Sequence, residues 1–138
     1  MRSFPAFCCL ILFLCIFSSC KESKVHGSFT QADSLVIHFK DKAGTKVEKT
    51  VQTAEYNAIS RMADFIDAPA TQMFKCGFNG KMFFFKEDNL IQEVDFQYEM
   101  EECRHFVFML EGKLMSTRMN NEATDFLDAL RRDLPVYY

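Results

Sequence analysis

The sequence predicts an α+β fold, a curved antiparallel sheet of about seven strands with two helices on one face. Three observations carry this. Apolar and polar residues alternate with a period of two across residues 34–52 and again across 71–119. Two stretches, one after Thr53 and one after Asn120, repeat their apolar residues at helical spacing instead. The turn pairs Asn79-Gly80, Glu87-Asp88 and Glu111-Gly112 are short enough to join only antiparallel neighbours. The resulting order is strand–strand–helix–five strands–helix, a pattern that places helices on one side of an antiparallel sheet.

The elements follow in order. Residues 21–33 are polar and read as a flexible tether. From Ser34 to Lys40, Leu35, Ile37 and Phe39 share one strand face, and Val36, His38 and Lys40 share the other. Asp41 to Gly44 is turn material. A second strand spans Val47 to Gln52, with Val47 and Val51 expected inward. Thr53 is placed to cap a helix from Ala54, whose inward stripe is Tyr56, Ile59, Met62, Ala63 and Ile66. Pro69 stops that helix because the residue before a proline resists the α conformation.

The five later strands begin at Thr71. Asn79-Gly80 reads as a two-residue hairpin, since both residues tolerate positive φ. Met82 to Phe85, Leu90 to Tyr98, Cys103 to Leu110 and Lys113 to Met119 complete the run. Asn120 or Asn121 caps the last helix, with Ala123, Phe126, Leu127, Leu130 and Leu134 as its stripe and Pro135 as its stop. Arg131 and Arg132 suit the negative end of the helix dipole. The order resembles the TATA-binding-protein-like and helix-grip architectures, a likeness of topology that implies no function.

The 138 residues suit one domain, taken as 34–138. The formal charge of −3 gives no global pull toward nucleic acid, which favours a basic surface. Sixteen Phe and no Trp point to a Phe-rich core. Phenylalanines fall on both faces of the central strands, as in Met82-Phe83-Phe84-Phe85, so the second face needs cover from a curled sheet, a ligand or a partner.

The first twenty residues have the parts of an export signal: Arg2, an apolar run from Phe4 to Phe17 and the small residues Ser18 and Ser19. The run is short for a membrane span, which takes about 20 residues. Phe17-Ser18-Ser19-Cys20 resembles the lipobox of bacterial lipoproteins, departing from it in having Phe where Leu is usual. The resemblance implies cleavage of residues 1–19 and lipid on Cys20, followed by a tether over 20–33. Two or three acyl chains anchor stably, at about 0.8 kcal/mol per buried CH₂. Lys21 follows the cysteine where lipoproteins of the inner membrane often have Asp, which implies the outer membrane and leaves the face open. Lys75 to Phe108, with Lys-Cys-Gly and Cys-x-His-Phe segments, resembles small Bacteroidota envelope lipoproteins, and that likeness implies no activity.

Cys76 and Cys103 are the remaining cysteines of the exported part. An oxidising compartment makes a disulfide their simplest fate. Register opposes it. In a tight meander Cys76 would face Phe83, and Cys103 would lie roughly 20 Å along the sheet, whereas a disulfide needs Cα atoms within about 7 Å. Either residues 76–80 fold back over the sheet or the thiols stay apart, inert or functional.

Cys103 and His105 could share a strand face and form a thiolate–imidazole pair, with Glu101 or Glu102 orienting the ring. A zinc site would need Cys76, Cys103, His105 and a further ligand, and no CxxC or HxxxH spacing supplies it. Glu99, Glu101, Glu102 and Asp95 could attract Ca²⁺ or a basic partner, but a solvated loop is the preferred account of them. There is no phosphate-binding Gly loop and no GxSxG, and no cofactor is expected. The sequence therefore favours a non-enzymatic envelope lipoprotein that binds a partner protein or assembles with a membrane complex. The alternatives are a carrier or sensor of a small apolar ligand in a sheet–helix cleft, and a Cys/His thiol enzyme or metal protein.

Overall fold

The structure, a computed structural model, describes residues 23–137. It is α+β. Six antiparallel strands form one sheet: β1 (Ser34–Lys40), β2 (Val47–Thr53), β3 (Gly80–Lys86), β4 (Asn89–Gln97), β5 (His105–Leu110) and β6 (Lys113–Arg118). The order across the sheet is β2-β1-β3-β4-β5-β6, so β2 and β6 are its edges. Three helices, α1 (Lys24–Thr30), α2 (Tyr56–Ile66) and α3 (Asn121–Arg131), contribute to the core with one face of the sheet.

That core is built from the alternation. Leu35, Ile37 and Phe39 of β1, Met82 and Phe84 of β3, Val94 and Phe96 of β4, and Phe106 and Phe108 of β5 are all buried. Ile59, Met62 and Ile66 of α2 and Ala123 and Leu127 of α3 meet them, each about one or two helical turns apart. Side chains of this size contribute roughly 1.5–3 kcal/mol each on full burial.

The turns follow their chemistry. Glu87 and Asp88 both have positive φ, 50° and 63°, as do Glu111 and Gly112, 49° and 77°. Left-handed pairs of this kind match the twist of tight hairpins. The Asp41 carboxylate accepts from the Thr45 and Lys46 backbone N–H groups at 2.7 and 3.2 Å, which holds its pKa below the usual range and closes the β1–β2 turn. Asn120 caps α3 through its side-chain oxygen, 2.8 Å from the Ala123 N–H.

Several expectations are corrected. The strand expected from Thr71 is absent, leaving six strands rather than seven; a single bridge, Ala70 to Thr117, is all that pairs there. Asn79-Gly80 is no hairpin. Gly80 opens β3, where a Cβ would strike the Phe96 ring and the His38 carbonyl. Asn79 is buried, and its side-chain oxygen accepts from the Tyr98 N–H at 2.9 Å and the Glu99 N–H at 3.2 Å.

The expected tether holds the third helix. Ser23 caps α1, and Phe29 is fully buried, stacking on Phe84 and Phe108 at 4.8 and 5.3 Å between ring centres. One aromatic anchors a segment that is otherwise polar. Helix α2 starts at Tyr56, two residues later than expected, and Val47 and Tyr56 are exposed rather than inward. Leu134 lies beyond the end of α3 and is 45% exposed.

Candidate functional site

The second face of the sheet is where the missing strand matters. Residues 71–79 cross it as a strap. The Thr71 N–H donates to the Ser116 carbonyl, 2.9 Å, and the Gln97 side-chain amide reaches the Cys76 and Gly77 carbonyls, both 3.4 Å. Cys76 is disulfide-bonded to Cys103 with Cα atoms 6.3 Å apart. The fold-back resolves the conflict between meander and disulfide in favour of the bond. Closing a loop with a sequence separation of 27 residues stabilises by about 3–4 kcal/mol in the chain-entropy model.

Beneath the strap His105 is fully buried, with Phe74 and Phe78 ring centres at 5.2 and 5.6 Å. Its Nδ1 lies 2.6 Å from the Cys103 carbonyl oxygen. A carbonyl only accepts, so Nδ1 carries the proton there. Nε2 has no hydrogen-bond partner among the described residues. The Cys103 sulfur is bonded to Cys76 and is not available as a thiolate beside this ring. Glu101 and Glu102 lie exposed in a single 3₁₀ turn, and the group that orients His105 is a backbone carbonyl rather than either carboxylate.

The acidic residues do not converge. Asp95 pairs with Lys81 at 3.5 Å, and Glu99 pairs with Arg131. Among the described residues no group of three His, Cys, Asp or Glu side chains could hold a metal ion. None of the helices described is long and apolar enough to cross a membrane. Cys20, the expected lipid-bearing residue, lies outside the described residues.

A cleft opens between the sheet and the helices at the β2 edge. Its volume is about 270 Å³, and Ile37, Val51, Met62, Phe126 and Leu130 line it, with Gln52, Thr53 and Glu55 also in its wall. Its floor is core, because Leu35, Ile37 and Met62 are each about 2% exposed or less. Val51, Phe126 and Leu130 are only partly buried. The cleft lies between β1–β2 and α2–α3.

The residue after Leu130 fixes one wall of that cleft. Arg131 donates to the Tyr98 hydroxyl at 3.0 Å and to Glu48 at 2.9 Å, and pairs with Glu99. Lys49 donates to the Arg131 carbonyl at 3.0 Å and pairs with Asp133. The end of α3 is thus clasped to β2 and β4. The hydrogen bond to Tyr98 leads the contacts that raise the Arg131 pKa and hold it charged. Burial pushes the Tyr98 phenol up, against the pull of Arg131.

No family model matches the chain, and neither a curated protein nor a solved structure matches it. The cleft residues had been legible only as core: Phe126 and Leu130 stand four apart on the α3 stripe, and Val51 alternates inward on β2. What distinguishes them is incomplete cover, a property of how separate elements pack. The Arg131 clasp had a sequence signal, a cation at a helix end, but not its partners.

Proposed function

We propose that the chain is a non-enzymatic envelope lipoprotein, carried by lipid on Cys20 and resident in the outer membrane, whose domain binds a partner protein. The export signal and lipobox-like residues support the anchor. The observation that supports binding is the half-apolar, half-polar cleft on the β2 edge. An edge strand offers unpaired backbone groups. An extended segment of a partner could pair along residues 51–53 and place an apolar side chain between Phe126 and Leu130, as in strand addition.

A photoreactive amino acid at Gln52, introduced into the cell-borne protein, tests the role. Ultraviolet exposure is expected to yield a reproducible covalent adduct with one envelope protein, and none from the same group at Lys42 in the exposed β1–β2 turn. No adduct, or equal adducts from both positions, contradicts it.

The same cleft favours one second reading, a carrier or sensor of a small apolar ligand. Its volume falls just below the roughly 300–1,000 Å³ of ordinary ligand sites. Native mass spectrometry that finds a stoichiometric small molecule, released by Leu130→Asp, would favour that reading over the protein partner. A thiol enzyme built on Cys103 and His105 is disfavoured by the bond from Cys103 to Cys76.

A further inference from the structure

The outward positions of the sheet form rows across the strands. His38, Lys81, Asp95, Val107 and Ser116 stand in one continuous row. On the Cys103 side of it the strap provides cover. On the other side Leu90, Met109 and Leu114 are 48%, 49% and 57% exposed. Met109 and Leu114 are direct partners across β5 and β6, and Leu90 and Met109 border one shallow surface depression. These residues lie beside the β3–β4 and β5–β6 turns, which share one end of the sheet.

The chain enters the domain at that same end. Lys24, the first residue of α1, pairs with Glu111 of the β5–β6 turn at 3.2 Å. Asp33, just before β1, accepts from the Glu87 N–H of the β3–β4 turn at 2.7 Å. Cys20 precedes Ser23 by three positions. An extended chain spans at most about 3.3–3.6 Å per residue, so a lipid on Cys20 is held within roughly 11 Å of that end.

We infer that the lipid bilayer itself covers this patch: the domain rests with its β3–β4 and β5–β6 turns toward the membrane, and Leu90, Met109 and Leu114 against the lipid surface. This rests on the proposed anchor at Cys20. Lys24, Lys86 and Lys113 at this end are outnumbered by Asp33, Glu87, Asp88 and Glu111. The contact is therefore apolar rather than a response to anionic headgroups, and is insensitive to salt. It leaves the β2 cleft, on the opposite face and far edge of the sheet, open to a partner.

Three methionines of nearly equal exposure provide the test: Met73 at 49%, Met100 at 52% and Met109 at 49%. Met73 lies in the strap and Met100 in the β4–β5 connection, both away from the proposed contact. Full-length processed protein, purified from membranes, is reconstituted in phosphatidylethanolamine–phosphatidylglycerol vesicles at less than one chain per vesicle. It is treated with hydrogen peroxide, and sulfoxide formation is followed peptide by peptide. Met109 is expected to oxidise several-fold more slowly than Met73 and Met100, at low and high salt alike, and Leu90→Glu with Leu114→Glu is expected to remove the difference. Equal oxidation of all three on a chain whose Cys20 peptide carries lipid overturns the orientation and leaves the anchor standing. Protection seen only when chains are crowded assigns the patch to a second copy and also overturns it. A Cys20 peptide without lipid overturns the anchor, and the orientation with it.

Discussion

The outer face of the sheet has two halves with different fates. In one, Gln97, His105, Val107 and Ser116 are at most 7% exposed, because residues 71–79 lie over them and are bonded down by Cys76–Cys103. In the other, Leu90, Met109 and Leu114 sit on the same strands in the same alternation and stand about half exposed. Strand periodicity decides which face a side chain points to, and nothing about what covers that face. Under the strap His105 and Gln97 find backbone partners beside the apolar Val107, whereas Leu90, Met109 and Leu114 have no such cover.

The comparison breaks first at the disulfide. Replacing both cysteines, Cys76→Ser with Cys103→Ser, is expected to lower unfolding stability by about 3–4 kcal/mol in the chain-entropy model, read by urea denaturation. Hydrogen exchange should rise at the β5–β6 ladder beneath the strap and stay unchanged at the β3–β4 turn. Faster exchange spread evenly over the sheet would mean that the strap is not a local cover.

Where the strap enters β3, Asn79→Ala leaves the buried Tyr98 N–H without its side-chain acceptor, while the Glu99 N–H keeps the Gln97 side-chain oxygen at 3.1 Å. Unsatisfied buried donors cost about 1–3 kcal/mol, and thermal and urea unfolding should both show it. Asn79→Asp, which keeps an acceptor, should recover part of the loss.

The core face beneath the same strands adds a pH dependence. Burial raises the Tyr98 pKa above the ordinary phenol value of 10.0. A group whose folded pKa is raised contributes stability that is present below the unfolded value and lost as pH rises through the folded one. Stability should thus decline as pH climbs past about 10, and Tyr98→Phe should reduce the slope of that decline. An unchanged slope would place the alkaline titration elsewhere.

The smallest effect belongs to the open half. Leu114→Ser should change stability by no more than about 0.5 kcal/mol, as for surface positions without special contacts. A loss above 1.5 kcal/mol, by the same urea measurement, would show that the patch is already covered within the folded chain.

Much of the fold was legible, and the failures have physical causes. Strands β1 to β6 and helices α2 and α3 follow from periodicity, although β2 holds no buried residue and β5 buries residues on both faces. The turns Glu87-Asp88 and Glu111-Gly112 behave as hairpins. Asn79-Gly80 carries a stronger local signal and is overridden, because the buried Asn79 side chain and the disulfide demand a strap instead. Helix α1 was hidden because a single buried aromatic, Phe29, supplies most of its docking, and no repeat announces it. Of the candidate site residues, Cys76 and Cys103 are bonded to each other. His105 joins them through packing, and Glu101 and Glu102 remain on the surface. The cleft was unreadable in advance because it depends on how β1, β2, α2 and α3 pack together, which the periodicity of each element alone does not encode.

The most direct measurement is the mass of the mature protein from its native membrane, taken with and without reduction before alkylation. A chain beginning at acylated Cys20, with Cys76 and Cys103 inaccessible to alkylation until reduced, is the expected result. A chain without lipid would contradict the anchored role, and thiols at Cys76 and Cys103 that alkylate without reduction would contradict the strap on which the division of the outer face depends.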